Sequence, residues 1–321
     1  MKQKQEKNVS TDKISIAPML DWTDRHFRYF LRLICRRAQF YTEMVACPAI
    51  ILGDPSKLLS FSPAEQPLVL QVGGSEPRLM GQCALRAQEY GYVGVNINAG
   101  CPSSRVQSGR FGAVLMKTPE IVAECVQEMR ARSALPVSVK TRIALAEDGG
   151  DGFEHLFRFA SLVKQAGCDH LIVHARWAKL NWSPKENRSE RLPLDYETVY
   201  RLKKSFPDMF ISLNGNVLSL EAAQKHLAHV DGVMIGRWAY GNPYALREVD
   251  ALFYGDDHAI LNRIEVLEKM MPYLEQNAAH LSIIMPHLMG LYHGQANSKL
   301  YKQTLMKKDL AELRAFINTQ V

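Results

Sequence analysis

No stretch of the 321-residue chain approaches the ~20 consecutive apolar residues that cross a bilayer, which excludes a helical membrane span. The six cysteines, at 35, 47, 83, 101, 125 and 168, contain neither a C-x-x-C pair nor the spacing of a disulfide framework. Such scatter fits a reducing compartment and argues against structural zinc, so no metal is expected. No G-x-G-x-x-G follows any strand-like run, and a dinucleotide-binding Rossmann sheet loses its main support. Lys2, Lys4, Lys7 and Lys13 have no apolar segment behind them. Residues 1–13 therefore read as a solvated basic arm rather than a signal peptide, and the expected location is cytoplasmic. Neither sign of charge is scarce: 39 Lys and Arg against 33 Asp and Glu leave +6, which permits a polyanionic partner without requiring one.

What is present suits one large α/β barrel with a small appendage. Eight β-rich runs are expected at 14–19, 40–45, 68–73, 93–98, 137–142, 171–176, 210–214 and 232–237. Amphipathic stretches such as 24–37 and 120–132 separate most of them. Eight β-then-α units of near-continuous apolar strands predict a (β/α)8 TIM barrel over residues 14–250, with a doubly wound open sheet as the alternative. Beyond Asp250 only helical patterns follow, at 261–276, 279–290 and 299–318, and they predict a small all-helical C-terminal domain over 251–321. Pro272 and Pro286 should kink or split the first two of these helices. Lys299, Tyr301 and Lys302 offer a basic, aromatic-bearing patch, against which stands the reading of a plain solvated helix face.

In a barrel, the carboxyl ends of the strands carry the active site. There the sequence places Pro18-Met19-Leu20, Glu43, Gln71, Asn98 with Cys101, Lys140-Thr141-Arg142, His174-Ala175-Arg176, Asn214-Gly215-Asn216 and Gly236-Arg237. Each has a plain structural explanation by itself, and convergence on one face is what needs another. Around Cys101, Val93, Val95 and Ile97 read as a buried strand, Gly100 permits a sharp turn and Pro102 stiffens the exit, so the thiol is displayed on a rigid loop. The alternative is a cysteine that merely packs. Cys47 also precedes a proline but lacks the Asn-x-Gly turn before it and reads as incidental, while the other four cysteines read as packing.

The last two strand ends pair glycine-containing turns with a cation, as a phosphate site after strands 7 and 8 requires. Lys140, His174 and Gln71 would surround the ring end of a phosphorylated cofactor. Flavin mononucleotide (FMN) fits best, with one phosphate, one planar redox ring, and a lysine to stabilise the anion formed on reduction. Together with Ala17-Pro18-Met19-Leu20-Asp21-Trp22-Thr23-Asp24, Asn98-Ala99-Gly100-Cys101-Pro102-Ser103 and Val139-Lys140-Thr141-Arg142, these segments resemble the tRNA-dihydrouridine synthases over about 14–302. Thr42-Glu43-Met44-Val45, Arg105-Val106-Gln107 and Ser183-Pro184-Lys185-Glu186-Asn187-Arg188 are similar to the A-type branch.

The resemblance implies an FMN enzyme that uses NADPH to reduce the C5=C6 bond of a tRNA D-loop uridine, in the A-type branch at positions 20 and 20a. It implies flavin contacts at Pro18, Met19, Leu20, Gln71, Lys140, His174, Asn214, Gly215, Asn216, Gly236 and Arg237, with Cys101 as general acid. It implies tRNA contacts at Asn98, Arg105, Lys185, Arg188, Lys299 and Lys302. The chemistry is consistent with this: the reduction needs a hydride at C6, which a flavin supplies, and a proton at C5. A free cysteine titrates near ~8.5 and has a proton to give at neutral pH. With no separate dinucleotide fold, nicotinamide and RNA would take turns on one flavin face, and the target base must leave its stack at a cost of a few kcal/mol.

Three departures from the family pattern stand out. Asn216 replaces a second glycine, though asparagine tolerates positive φ. Lysines stand at 299 and 302 where arginines are expected, keeping charge but not two-pronged hydrogen bonding. The acidic, glycine-rich segment 146–152 has no functional account. The helical pattern 24–37 sets Phe27, Phe30, Leu31 and Ile34 against Arg25, Arg28, Arg32 and Arg36, which are read as the solvent face of an outer helix. Two competing functions remain. A flavin barrel acting on a free pyrimidine would need neither the helical domain nor its cations, and a non-catalytic RNA-binding barrel would need none of Cys101, Lys140 and His174.

Overall fold

The structure, a computed structural model, describes residues 13–320, so the expected basic arm lies, apart from Lys13, outside the described residues. Eight parallel strands close into a barrel in sequence order: β1 (Ile14–Ile16), β2 (Gln39–Ala46), β3 (Leu68–Gly73), β4 (Gly94–Ala99), β5 (Val137–Arg142), β6 (His170–His174), β7 (Phe210–Asn214) and β8 (Gly232–Ile235). Ile14, Ser15 and Ile16 pair with Val233, Met234 and Ile235, which closes the ring and rules out the open sheet.

Side chains alternate across each strand. Leu68, Leu70 and Val72 of β3, Val95 and Ile97 of β4, and Val137 and Val139 of β5 join one core with Met80, Cys83 and Ala84 of helix Pro77–Glu89 and Val122, Val126 and Met129 of helix Pro119–Arg132. The barrel interior is not the apolar layer implied by continuous apolar strands. Apart from a small cluster of Ala17, Tyr41, Val69, Ile172 and Met234, it holds paired polar groups. Asn96 accepts from Gln71 Nε2 (2.7 Å) and donates to Ser138 Oγ (2.9 Å), and His170 Nε2 meets Ser212 Oγ at 2.7 Å. Satisfied pairs of this kind are tolerated in a core because no polar atom is stranded.

Three strands end earlier than the pattern predicts, and each ending serves the site. β1 stops at Ile16 because Pro18 has no N–H for the ladder and Thr23 Oγ1 takes the Met19 N–H (2.9 Å), turning the chain back. β6 stops at His174, where the Arg176 N–H turns back onto the His174 carbonyl (2.6 Å). β8 gives way after Ile235 to Gly236 and the short helix Arg237–Gly241.

The C-terminal segment is helical, with Arg263–Gln276, Leu281–Leu288, Ser298–Met306 and Leu310–Asn318 as its main helices. Pro272 and Pro286 lie inside the first two and split neither. The single helix expected at 299–318 is instead broken: Lys308 turns left-handed (φ 55°) and Asp309 caps the next helix by accepting the Ala311 N–H (2.7 Å). Tyr301 is fully buried against Tyr292 and Phe316 and donates to the Leu288 carbonyl (3.0 Å), so the basic patch has no tyrosine from it.

Helix α1 (Arg25–Ile34) joins barrel and tail. Asp24 caps it through the His26 and Phe27 N–H groups and also meets His287 Nε2 at 3.1 Å, while Tyr29 stacks on Tyr273 at 4.0 Å. The expected solvent face of this helix is half wrong. Arg28 pairs with Glu65 at 2.7 Å inside the protein, and Arg32 donates to the carbonyls of Arg36, Ala38 and Glu65. With the tail on one flank and the turn Pro63–Glu65 on the other, only Arg25 and Arg36 of the four arginines remain exposed.

Candidate active site

A cavity of about 1400 Å³ opens at the carboxyl ends of the strands. It brings together Pro18, Met19, Leu20, Gln71, Asn98, Cys101, Arg105, Lys140, His174, Arg188, Asn214, Gly215, Asn216, Gly236 and Arg237. Lys185 does not line it. Lys299 and Lys302 lie apart from it, together on a shallow groove of the helical tail with Gln295, Ser298 and Gln303.

The turn that presents Cys101 is templated by Asn98. Its side-chain oxygen accepts the N–H groups of Gly100 (3.2 Å) and Cys101 (2.9 Å), and its amide donates to Gln71 Oε1 (2.9 Å). Asn98 and Gln71, expected at RNA and flavin respectively, thus also brace each other and the thiol's backbone. On the far side the Cys101 carbonyl accepts the Ala113 N–H (2.9 Å). Gly112, at φ 77°, lets the chains approach, since a Cβ there would sit 2.5 Å from that carbonyl oxygen. Cys47 is instead buried with its sulfur 3.1 Å from that of Cys83, which agrees with packing.

Cations dominate the rest. Lys140 Nζ reaches Asn214 Oδ1 (3.1 Å), whose amide is fixed on the Met234 carbonyl (2.8 Å). Burial, helped by the charge of Arg142 and opposed by Cys101, pushes the Lys140 ammonium down to about 7. His174 lies well below the usual imidazole range, chiefly through burial and then through Arg142, Lys140, Arg176 and Arg237, so its ring is neutral at physiological pH. Arg176 and Arg188 are also lowered, first by burial and then by the charge of Arg237. Among the described residues, the side chains of Arg105, Arg188 and Arg237 make no hydrogen bond or ion pair, and His174 makes no side-chain hydrogen bond. A cluster of mutually repelling cations with unspent donors fits a phosphorylated, electron-rich ligand. Gly215 (φ 136°) and Asn216 (φ 50°) supply the expected turn, with asparagine taking the left-handed conformation.

The Dihydrouridine synthase (Dus) family description matches residues 15–318. The chain belongs to the dihydrouridine synthase family. It is 47% identical over 305 residues to the tRNA-dihydrouridine(20/20a) synthase of Synechocystis sp., covering 94% of this chain and 90% of that protein. The protein of the same name from Shewanella oneidensis is 50% identical over 295 residues (91% and 87%). Among solved structures, a 2-naphthoyl-CoA reductase complex has a TM-score of 0.57 at 13% identity, covering 74% of this chain and 49% of that one. Morphinone reductase in complex with tetrahydroNAD scores 0.51 at 14% (74% and 85%). Those two likenesses are of fold alone.

In this dihydrouridine synthase, several residues that sequence reasoning passed over assemble the rim. Asn187, fully buried, accepts the Lys179 N–H (2.7 Å) and donates to the carbonyls of Lys179 and Trp182, clamping the loop that displays Arg188. Arg142 donates to the Gly100 (2.9 Å) and Trp177 (2.9 Å) carbonyls, and Gln107 donates to those of Pro102 (2.8 Å) and Leu180 (2.7 Å). These two side chains tie the Cys101 turn to the loop after β6. The unexplained segment 146–152 has a place here too: the Ala146 N–H bonds the Ala178 carbonyl (2.7 Å) and Glu147 Oε1 accepts the Leu180 N–H (2.9 Å), bracing the same loop. The Arg142 bonds, the Gln107–Leu180 bond and the bonds of Ala146 and Glu147 cross between segments distant in sequence, and for Arg142, Gln107 and Asn187 the sole signal was membership in a family motif.

Proposed function

We propose that this family member reduces the C5=C6 bond of uridine in the tRNA D-loop, at positions 20 and 20a, with FMN as bound cofactor and NADPH as reductant, in the cytoplasm. The observation that carries this reading is a cysteine on a braced turn, facing a cavity with a buried lysine, a neutral histidine and unpaired arginines. Positions 20 and 20a rest on the names of the relatives.

Pro18, Met19, Leu20, Gln71, Lys140, His174, Asn214, Gly215, Asn216, Gly236 and Arg237 would hold the flavin. Arg237 and the 215–216 turn would lie at its phosphate, and Lys140 and His174 at its ring. Bound and reduced, that cofactor supplies the hydride for uracil C6. Cys101 holds the proton destined for C5, and the Asn98 bonds keep its backbone from retreating as the base arrives. Asn98, Arg105, Lys185 and Arg188 would meet RNA beside the thiol, with Lys299 and Lys302 gripping phosphates from a recognition domain spanning 251–321. A free pyrimidine would leave these rim cations without a partner.

The test is purified protein with NADPH and tRNA lacking dihydrouridine, followed by site-resolved mapping. The expected result is a yellow protein that forms dihydrouridine at 20 and 20a and leaves 16 and 17 unmodified. Inert tRNA together with turnover of free uracil would transfer the assignment to a pyrimidine reductase.

A further inference from the structure

We infer that Trp22, Arg25, Lys57, Leu58 and Ile283 form a second subsite on the cavity rim, which holds the nucleotide next to the extruded uridine of tRNA. The inference rests on the tRNA reading above and concerns residues outside the flavin and tRNA contacts assigned there.

The cavity, at about 1400 Å³, exceeds the ~300–1,000 Å³ of ordinary small-molecule pockets and runs past the strand ends to these five residues. Arg25 is exposed, and its side chain makes no hydrogen bond or ion pair among the described residues. Its helical neighbours Arg28 and Arg32 are spent inside the protein, so although Arg28 also lines the cavity, Arg25 is, among the described residues, the cation of the α1 stripe that reaches the cavity without a partner. Lys57 is 83% exposed and reaches only Asp54, at 4.0 Å, an exposed pair that costs little to exchange for a phosphate.

The same cavity is lined by exposed apolar side chains: Trp22, Leu58 and Ile283 are 36%, 40% and 49% exposed. Trp22 is stacked on Tyr240 at 4.6 Å, which fixes the ring before any ligand arrives. Available cations on one cavity with exposed apolar side chains and a fixed aromatic ring are the chemistry that takes a nucleotide, phosphate to the cation and base to the face.

Topology decides which nucleotide. Arg25 follows β1 and Lys57 follows β2, whereas Arg188 follows β6. In a closed ring of eight strands β2 lies across the axis from β6. Arg188 and the Arg25–Lys57 pair therefore flank the mouth from opposite sides. A strand with one base turned into the cavity continues past it on both sides, and each side needs its own phosphate grip.

The Arg25→Ala/Lys57→Ala double variant should lower the salt slope of tRNA binding by roughly 0.7 to 0.9 per lost contact and weaken binding on the order of tenfold. Its flavin content and the rate at which NADPH reduces the flavin should be unchanged. Ile283→Ser, which removes no charge, should raise KM for tRNA severalfold at an unchanged salt slope. Binding curves that superimpose on wild type, while Arg188→Ala weakens binding, would overturn the subsite and leave the function standing. A raised KM for NADPH with unaltered tRNA binding would also overturn it, by assigning the phosphate to the reductant. If wild-type protein binds no tRNA, the functional reading fails and the subsite falls with it.

Discussion

The Asn98 bonds to the Gly100 and Cys101 N–H groups hold the turn that carries the proposed proton donor. If Cys101 has that role, Cys101→Ala should keep flavin and tRNA binding and lose about 10²- to 10⁴-fold in dihydrouridine formation, measured as single turnover with reduced enzyme. Near-normal turnover would remove Cys101 from the chemistry. Lys140 carries the complementary prediction. Burial lowers its pKa from 10.5 to about 7, so between those values the unfolded chain binds more protons than the folded flavin-free protein. Stability of the flavin-free wild type should rise with pH across that window. Lys140→Met should melt higher than wild type near pH 7, with the gap closing toward pH 10, and should bind flavin more weakly. A gap independent of pH would show that the ammonium is not held out of water. That Cys101, Lys140 and His174 meet on one cavity was legible because all three stand at or just past the carboxyl ends of barrel strands, which converge on one face. The paired amides of Gln71 and Asn98 were not, because hydrogen-bond partners 27 residues apart leave no trace in local spacing.

Elements followed the alternation and helical spacing of the chain wherever one side faced a core. β3, β5 and β7 match their expected bounds, while β1, β6 and β8 stop short where the backbone turns to build the site. Helix α1 is the instructive departure. Its amphipathic pattern was legible, but an arginine stripe looks the same whether it faces water or a neighbouring segment. The Arg28–Glu65 pair, with side chains 8% and 1% exposed, settles what the stripe does. Arg28→Ala should destabilise the fold by about 3–5 kcal/mol in denaturant unfolding, because it strands a buried carboxylate. Arg28→Met with Glu65→Leu should recover most of that loss. A loss below about 1 kcal/mol in the single variant would place the pair among weak surface bridges.

At the scale of the whole molecule, the cations proposed for tRNA are spread out: Arg105 and Arg188 line the cavity, Lys299 and Lys302 share the groove of the helical tail, and Lys185 lines neither. A single RNA that touches both the cavity and the groove is fixed in orientation as well as position, and orientation selects the uridine that enters. Lys299→Ala with Lys302→Ala should weaken tRNA binding, lower its salt slope by roughly 0.7 to 0.9 per contact and leave flavin content intact. A slope equal to that of wild type would return both lysines to a solvated face. The sequence by itself determined the barrel, the helical tail and the residues at the strand ends, because periodicity and strand order are local properties of the chain. Only the tertiary structure decided that Tyr301 is core, that Arg28 and Arg32 are spent while Arg25 has no partner among the described residues, that Arg142 and Gln107 join the Cys101 turn to the loop after β6, and that Asn187 clamps that loop. Those outcomes depend on which distant segments pack together, and a buried partner changes a side chain's role without changing its spacing.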